Sequence, residues 1–268
     1  MERFFAAEKI EFFATLPMRD GYIQNREKWQ RICGSSTVHA VSVFLIPYYT
    51  VASENGQRNI SRYAIAEDYH AYFSALLARA KQNVSDEIVG FCDSSPLNER
   101  LLAQDGGLGV LGENGLIINP KYGSYVFIGT FVHTGPVAVS SVREHKRCLG
   151  CGACHKACPV GCDGKTFDRC LSALSQKKKR SAEEGKALLR GALIWGCDIC
   201  QEACPLNRNI SETPLDFFKN NIILRLDFDV LDRLCEENAL GKRAFGWRGE
   251  ALLRENIAIF AKEKKFFD

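Results

Sequence analysis

The chain has 268 residues, 46% of them apolar and 25% charged, with a formal net charge of +3 at neutral pH. This is globular usage with room for a sizeable core; it excludes a low-complexity tail, and no apolar run reaches the roughly 18 residues needed to span a membrane. So small a charge neither demands nor forbids a nucleic-acid partner, because a local basic stripe matters more than the total.

The start, Met1-Glu2-Arg3-Phe4-Phe5, carries an early acid and no small-residue cleavage site, so the expected compartment is the cytoplasm. Residues 2–14 read as a helix with a stripe of Phe4, Phe5, Phe12 and Phe13. Val38 to Ile46 is β-branched and apolar, a buried strand ended by Pro47. Helical periodicity runs from Arg62 to Gln82, and a short strand from Ile88 to Cys92 leads into Asp93-Ser94-Ser95-Pro96. Asp93 or Ser95 would then cap a helix beginning near Pro96. Gly106, Gly107 and Gly109 break that helix, and Gly115 to Asn119 and Tyr125 to Val132 read as strands joined by the turn Pro120-Lys121-Tyr122-Gly123. Strands and helices thus alternate to about residue 140, as in an α/β or α+β sheet domain. Further helices are expected at 168–176, 182–190, 227–238 and 248–263.

Twelve cysteines in a reducing compartment call for metal rather than disulfides. Cys33, Cys92, Cys162 and Cys235 are scattered and read as small packed hydrophobes. The other eight fall into two groups. Cys148-x2-Cys151-x2-Cys154-x3-Cys158-Pro159 is the bacterial two-cluster ferredoxin run, whose fourth cysteine serves the other [4Fe–4S] cluster. Cys197-x2-Cys200-x3-Cys204-Pro205 repeats it with one cysteine missing, which Cys170 supplies from between the groups. The spacing assigns Cys148, Cys151, Cys154 and Cys204 to one cluster and Cys158, Cys170, Cys197 and Cys200 to the other. Structural zinc also uses Cys-x2-Cys pairs, but seldom three cysteines in successive steps with a trailing Cys-Pro. Two clusters form an electron wire that feeds either a partner protein or a reaction site in residues 1–140.

Several motifs then point to a family. Arg62-Tyr63 with Asp68-Tyr69-His70, Asp93 to Arg100, Gly106-Gly107-Leu108-Gly109, Gly112-Glu113-Asn114, Ile118 to Ser124, Arg169-Cys170-Leu171-Ser172, Gly196 to Pro205, Trp247-Arg248-Gly249 and Arg254-Glu255-Asn256 resemble the epoxyqueuosine reductases, in that family's order, over about residues 35–260. The resemblance implies a cobalamin-dependent oxidoreductase, related to reductive dehalogenases, that converts epoxyqueuosine to queuosine in tRNA. It implies an α+β architecture: a cobalamin and substrate domain over 1–140, a ferredoxin-like double [4Fe–4S] domain over 141–212 and a helical segment over 213–268. By motif position it makes Asp93 the proton donor and places Ser61, Arg62, Ile117, Ile128 and Ser172 against cobalamin. Expected partners are the modified tRNA and a reducing protein such as flavodoxin or ferredoxin, with no membrane. Rival readings are the same chemistry on a small molecule, and a ferredoxin-like carrier without cobalamin.

The chain departs from the pattern where Glu113 stands in place of the usual lysine, where the segment before Val38 is short, and where helical repeats would follow Asp268. Read without the resemblance, Asp93 is a helix cap, Arg62 a surface ion pair, Tyr63 and Tyr69 core, and His70 and His133 packed or solvated. Lys177-Lys178-Lys179-Arg180 reads equally as a solvated helix end or as a phosphate contact.

Overall fold

The structure, a computed structural model, describes residues 1–34, 37–54 and 58–262. The chain forms two compact units that alternate along the sequence. The first takes 1–47, 70–112 and 116–150; the second takes 48–69, 113–115 and 151–268.

The first unit is built on an antiparallel sheet. Its elements in chain order are α1 (Glu2–Ala7), β1 (Phe13–Pro17), α2 (Arg26–Cys33), β2 (Ala40–Pro47), α3 (Tyr69–Asn83), β3 (Val89–Cys92), α4 (Glu99–Asp105), β4 (Val110–Leu111), β5 (Ile117–Ile118) and β6 (Val126–His133). The main sheet has the order β1-β2-β6-β3, with Val43 opposite Thr130 and Phe91 opposite Thr130 from the other side. Antiparallel pairing makes the unit α+β rather than a wound parallel α/β sheet.

Every residue of β2 is buried, because both faces of the sheet are covered. On one face, Phe5 packs against Phe13, Phe44 and Phe131, and Phe73 of α3 stacks on Phe44. On the other, Ala14, Leu16, Val41, Val43, Leu45 and Val132 meet Leu102 and Ala103 of α4 and Cys33 of α2. Each Val, Leu or Phe among them contributes about 1.5–3 kcal/mol by leaving water.

Two expectations change here. The helix expected over 2–14 stops at Ala7: Lys9 takes a left-handed φ of 57° and Phe13 begins a strand paired with Phe44. The phenylalanine spacing fits a helical stripe, but an open sheet edge and a hydrophobic face outweigh local propensity. The helix expected from Arg62 begins at Tyr69. Both strands expected around the Pro120 turn form, β5 pairing with β4 and β6 joining the main sheet.

The second unit holds α5 (Ala153–Ala157), α6 (Leu171–Ser175), α7 (Ala182–Leu188), α8 (Ile199–Glu202), α9 (Phe228–Glu236) and α10 (Glu250–Ala261). Its core includes the fully buried Trp195, Phe218, Phe245 and Phe260. The 48–69 segment is sewn into it by backbone pairing. Ser61 N–H donates to Trp195 O at 2.8 Å, Thr213 N–H to Tyr49 O at 2.8 Å and Ile223 N–H to Ile65 O at 2.8 Å. Asn256 on α10 is fully buried and donates to Ser175 O and Ile194 O, both at 2.9 Å. α10 ends at Ala261 with Lys262 as its cap; position 263, the expected end of this helix, lies outside the described residues.

Candidate iron–sulfur and acid sites

The thiol-bearing loops owe their shape to Cys-Pro pairs and to glycine. A residue before proline is pushed from helical to extended backbone. Cys158 and Cys204 accordingly have ψ of 112° and 122°, and each follows a helix of one turn, α5 or α8. Each of these thiols therefore leaves its own loop rather than continuing round it. Gly196, just before Cys197, has φ 73°, and a Cβ there would meet the Ser61 Cβ at 2.4 Å. Only glycine allows both the backbone sign and that approach.

Cys158, Cys170, Cys197 and Cys200 line one cavity, with Cys154 and Cys162 also on its wall and Val160, Phe167, Leu171 and Ile199 making it apolar. Cys204 neighbours Cys154. Cys151 is exposed. Burial, reinforced by neighbouring thiols and Asp198, pushes Cys197 and Cys200 up to about 12. Burial also raises Cys154 and Cys170. Donors aimed at these sulfurs oppose the rise: the Ile199 N–H at Cys197, the Asn114 side chain at Cys200, and the Ser172 and Ala173 N–H groups at Cys170. A crowd of buried thiols that resists ionising alone, yet is ringed by hydrogen-bond donors, is suited to a group that brings positive charge. Iron in an apolar, hydrogen-bonded shell meets that requirement. The donor set fits [4Fe–4S] clusters.

Cys33 and Cys92 are buried as expected of small hydrophobes. Cys162 is not one of that kind: it lies on the cavity wall, its N–H 3.3 Å from Cys158 Sγ. It stands four residues after Cys158, outside the Cys-x2-Cys steps and the Cys-Pro pair, and that off-pattern spacing hid this.

A buried ion-pair network braces the second thiol group. Asp198, 1% exposed, accepts from Ser61 Oγ at 2.5 Å, Arg58 Nη1 at 2.7 Å and Arg62 N–H at 2.9 Å. Arg62 also reaches Ser53, Glu54 and Glu202. Ser61 and Arg62 are both buried, so their side chains are engaged inside the unit, and Arg62 is no surface ion pair. Tyr63 accepts the Trp195 indole N–H at 2.7 Å. Ser172 O accepts from Ser175 and Gln176. In the first unit, Ile117 lies in the core and Ile128 packs at its edge. Glu113 is exposed, with its carboxylate within 4.8 Å of Cys154 Sγ and a His155 ring nitrogen. The charge reversal thus falls beside a thiol. The basic run is not uniform: Arg180 is 1% exposed and paired with Glu255 and Asn256, Lys177 pairs with Glu184, and Lys178 and Lys179 are exposed.

Asp93 belongs to a second site, in the first unit. It is exposed and lines a cavity of about 460 Å³ with Gln24, Asn25, Ser95, Leu97, Asn98, Glu99 and Arg100. It does not cap the helix, and neither does Ser95. Asn98 caps α4 by accepting from Leu101 N–H at 3.1 Å, and Ser95 Oγ accepts from Leu97 N–H at 3.0 Å. Instead Asp93 is the middle of a three-residue turn closed by Ser94 N–H to Cys92 O at 2.7 Å, with φ 61°. This left-handed form of the turn is rare and strained. Strain at a non-glycine residue gathers at functional sites. Segment 93–97 is fastened to 23–28: Gln24 and Asn25 N–H donate to Pro96 O, and Lys28 Nζ to Ser94 O.

An antiparallel α+β unit followed by paired Cys-Pro thiol groups defines a double-cluster iron–sulfur redox protein, and residues 147–207 match the 4Fe-4S double cluster binding domain. The epoxyqueuosine reductase of Pseudomonas aeruginosa is 32% identical over 193 residues, covering 68% of this chain and 54% of that protein. That of Escherichia coli is 36% identical over 158 residues, covering 56% and 41%. The chain belongs to the epoxyqueuosine reductase family, which uses [4Fe–4S] clusters and cobalamin. It spans about half the length of the curated relatives it matches. Its fold is that of the Streptococcus thermophilus epoxyqueuosine reductase structure, with a TM-score of 0.71 at 23% identity, over 96% of this chain and 79% of that one. An epoxyqueuosine reductase solved with an epoxyqueuosine-modified tRNA stem loop gives 0.73 at 20% identity, over 96% and 80%.

Proposed function

We propose that this chain is a cobalamin- and [4Fe–4S]-dependent reductase that removes the epoxide oxygen of epoxyqueuosine in tRNA. The observation that carries the reading is the thiol cavity, where Cys158, Cys170, Cys197 and Cys200 come together across 42 residues of sequence within a family of known reductases. Turning an epoxide into an alkene consumes two electrons and two protons and releases the oxygen as water. Clusters pass electrons singly, and cobalamin, when bound, supplies the low-valent centre that delivers them to carbon.

The chain's own residues have the following roles. Cys148, Cys151, Cys154 and Cys204 hold one cluster, and Cys158, Cys170, Cys197 and Cys200 hold the other. Asp93 gives the proton that the departing oxygen takes up. Its exposure at the mouth of a cavity, and its freedom from a capping role, support this. Cobalamin contacts are proposed for Ser61, Arg62, Ile117, Ile128 and Ser172 on motif position alone. The electrons come from a small reducing protein of flavodoxin or ferredoxin type, and the compartment is the cytoplasm. Among the described residues no helix is long and apolar enough to cross a membrane.

The test is an anaerobic cofactor inventory followed by incubation of the loaded protein with epoxyqueuosine-containing tRNA and a strong reductant. Queuosine should form, and Asp93→Asn should keep clusters and corrin while losing turnover. Clusters without corrin would identify a carrier; corrin with an unchanged nucleoside would point to another epoxide. Full turnover in Asp93→Asn would remove it as the acid.

A further inference from the structure

The Asp93 turn is strained and exposed, and the bonds that fasten Ser94 and Pro96 to 24–28 do not reach the Asp93 N–H. The neighbouring carboxyl does. Glu99, the first residue of α4, lines the same cavity, and its carboxyl accepts the backbone N–H of Asp93. Its Oε1 is buried with no hydrogen-bond partner, an arrangement that costs much more for a carboxylate than for a neutral acid. The Asp93 side chain borders the same space.

We propose that Glu99 is a positioning residue for Asp93: its neutral carboxyl seats the Cys92–Ser94 turn in the cavity, and its ionisation loosens that seat. The inference rests on the reading of Asp93 as the proton donor for its purpose, but not for its test. Burial first, then the charge of Asp93, push Glu99 up to about 8; the Asp93 N–H and Lys28 oppose the rise and lose. The charged groups facing Glu99 are therefore Asp93 from the turn, Lys28 from α2 and Arg100 on the cavity wall; Gln24, Asn25, Ser95 and Asn98 are neutral.

The sign follows from proton linkage. With the turn seated, Glu99 keeps its proton to about pH 8; with the turn released, it titrates as an ordinary glutamate near 4.5. The seated state binds more protons between those values. Release therefore becomes easier as pH rises through that window, by up to about tenfold per unit, and levels off above it.

The experiment is hydrogen–deuterium exchange by mass spectrometry on the anaerobically purified, cluster-loaded chain. It follows the peptide containing Asp93 to Ser95 from pH 5.5 to 9, corrected for intrinsic exchange. Wild-type protection should fall by up to about tenfold per pH unit to about pH 8 and then flatten. Glu99→Gln, neutral at every pH and still an acceptor for the Asp93 N–H, should stay protected throughout. Glu99→Ala should be unprotected throughout. A flat wild-type profile over pH 5.5–8, or a slope retained in Glu99→Gln, overturns the proposal. Because exchange needs no turnover, an inactive substrate assay would leave this result standing and sink only the functional reading.

Discussion

Asp198→Ala tests whether the ion-pair network braces the second thiol group. Asp198 is 1% exposed and takes four hydrogen bonds, from Ser61, Arg58, Arg62 and Gln201. Removing one side of a buried pair leaves the other charge uncompensated, at about 3–5 kcal/mol. The lower end applies, because Glu202 and Glu54 still face the two arginines, though both are about half exposed. At roughly 2–4 °C per kcal/mol for a chain of this size, about 3 kcal/mol predicts a melting point lowered by roughly 6–12 °C. Asp198→Asn removes the same charge but keeps an acceptor, so its loss should be smaller by about 1 kcal/mol. The assay is thermal melting of anaerobic protein by far-ultraviolet circular dichroism, with cluster absorbance read in parallel. Visible absorbance should go first, because Asp198 sits between Cys197 and Cys200. If Asp198→Ala melts within about 1 °C of wild type with both clusters intact, the network is not a brace.

Cys170→Ala should lower iron from about eight to about four per chain while Cys162→Ala leaves it unchanged; both clusters surviving in the first, or one lost in the second, would reassign the eighth ligand. His133, buried on β6 with Nε2 2.7 Å from Ser42 Oγ, is pushed down to about 4 by burial. The unfolded imidazole takes its proton from about pH 6.5 downward while the folded one stays neutral to about 4, so stability should fall with acidification in that window, by up to about 1.4 kcal/mol per pH unit. Urea melts at pH 6.5 and 5 should show this slope in wild type and a shallower one in His133→Gln; equal slopes would mean that His133 is not the group responsible.

Much of the cluster module is written locally. Successive Cys-x2-Cys steps and trailing Cys-Pro pairs act within a few residues, so the thiol grouping could be read directly, as could β2, β3 and most helices from α3 onward. Helix α2 was not foreseen: Arg26 to Cys33 is mostly polar, and its start rests on Asn25 accepting from Lys28 N–H. Nor was the end of α1 at Ala7, because the aromatic stripe that suggested a longer helix fits equally well on a sheet face that other strands create.

The amino-acid order alone therefore determined the thiol spacing and the turns at the Cys-Pro pairs, because cysteine spacing and proline geometry are short-range effects. Tertiary structure decided what those residues are surrounded by. It put Asp198 under Ser61 across 137 positions, drew 48–69 into the second unit and buried Arg180 against Asn256. It also gave helix capping to Asn98, leaving Asp93 in a strained turn with Glu99 behind it. Burial and the field of distant charges depend on how the chain closes on itself, and no local pattern encodes them.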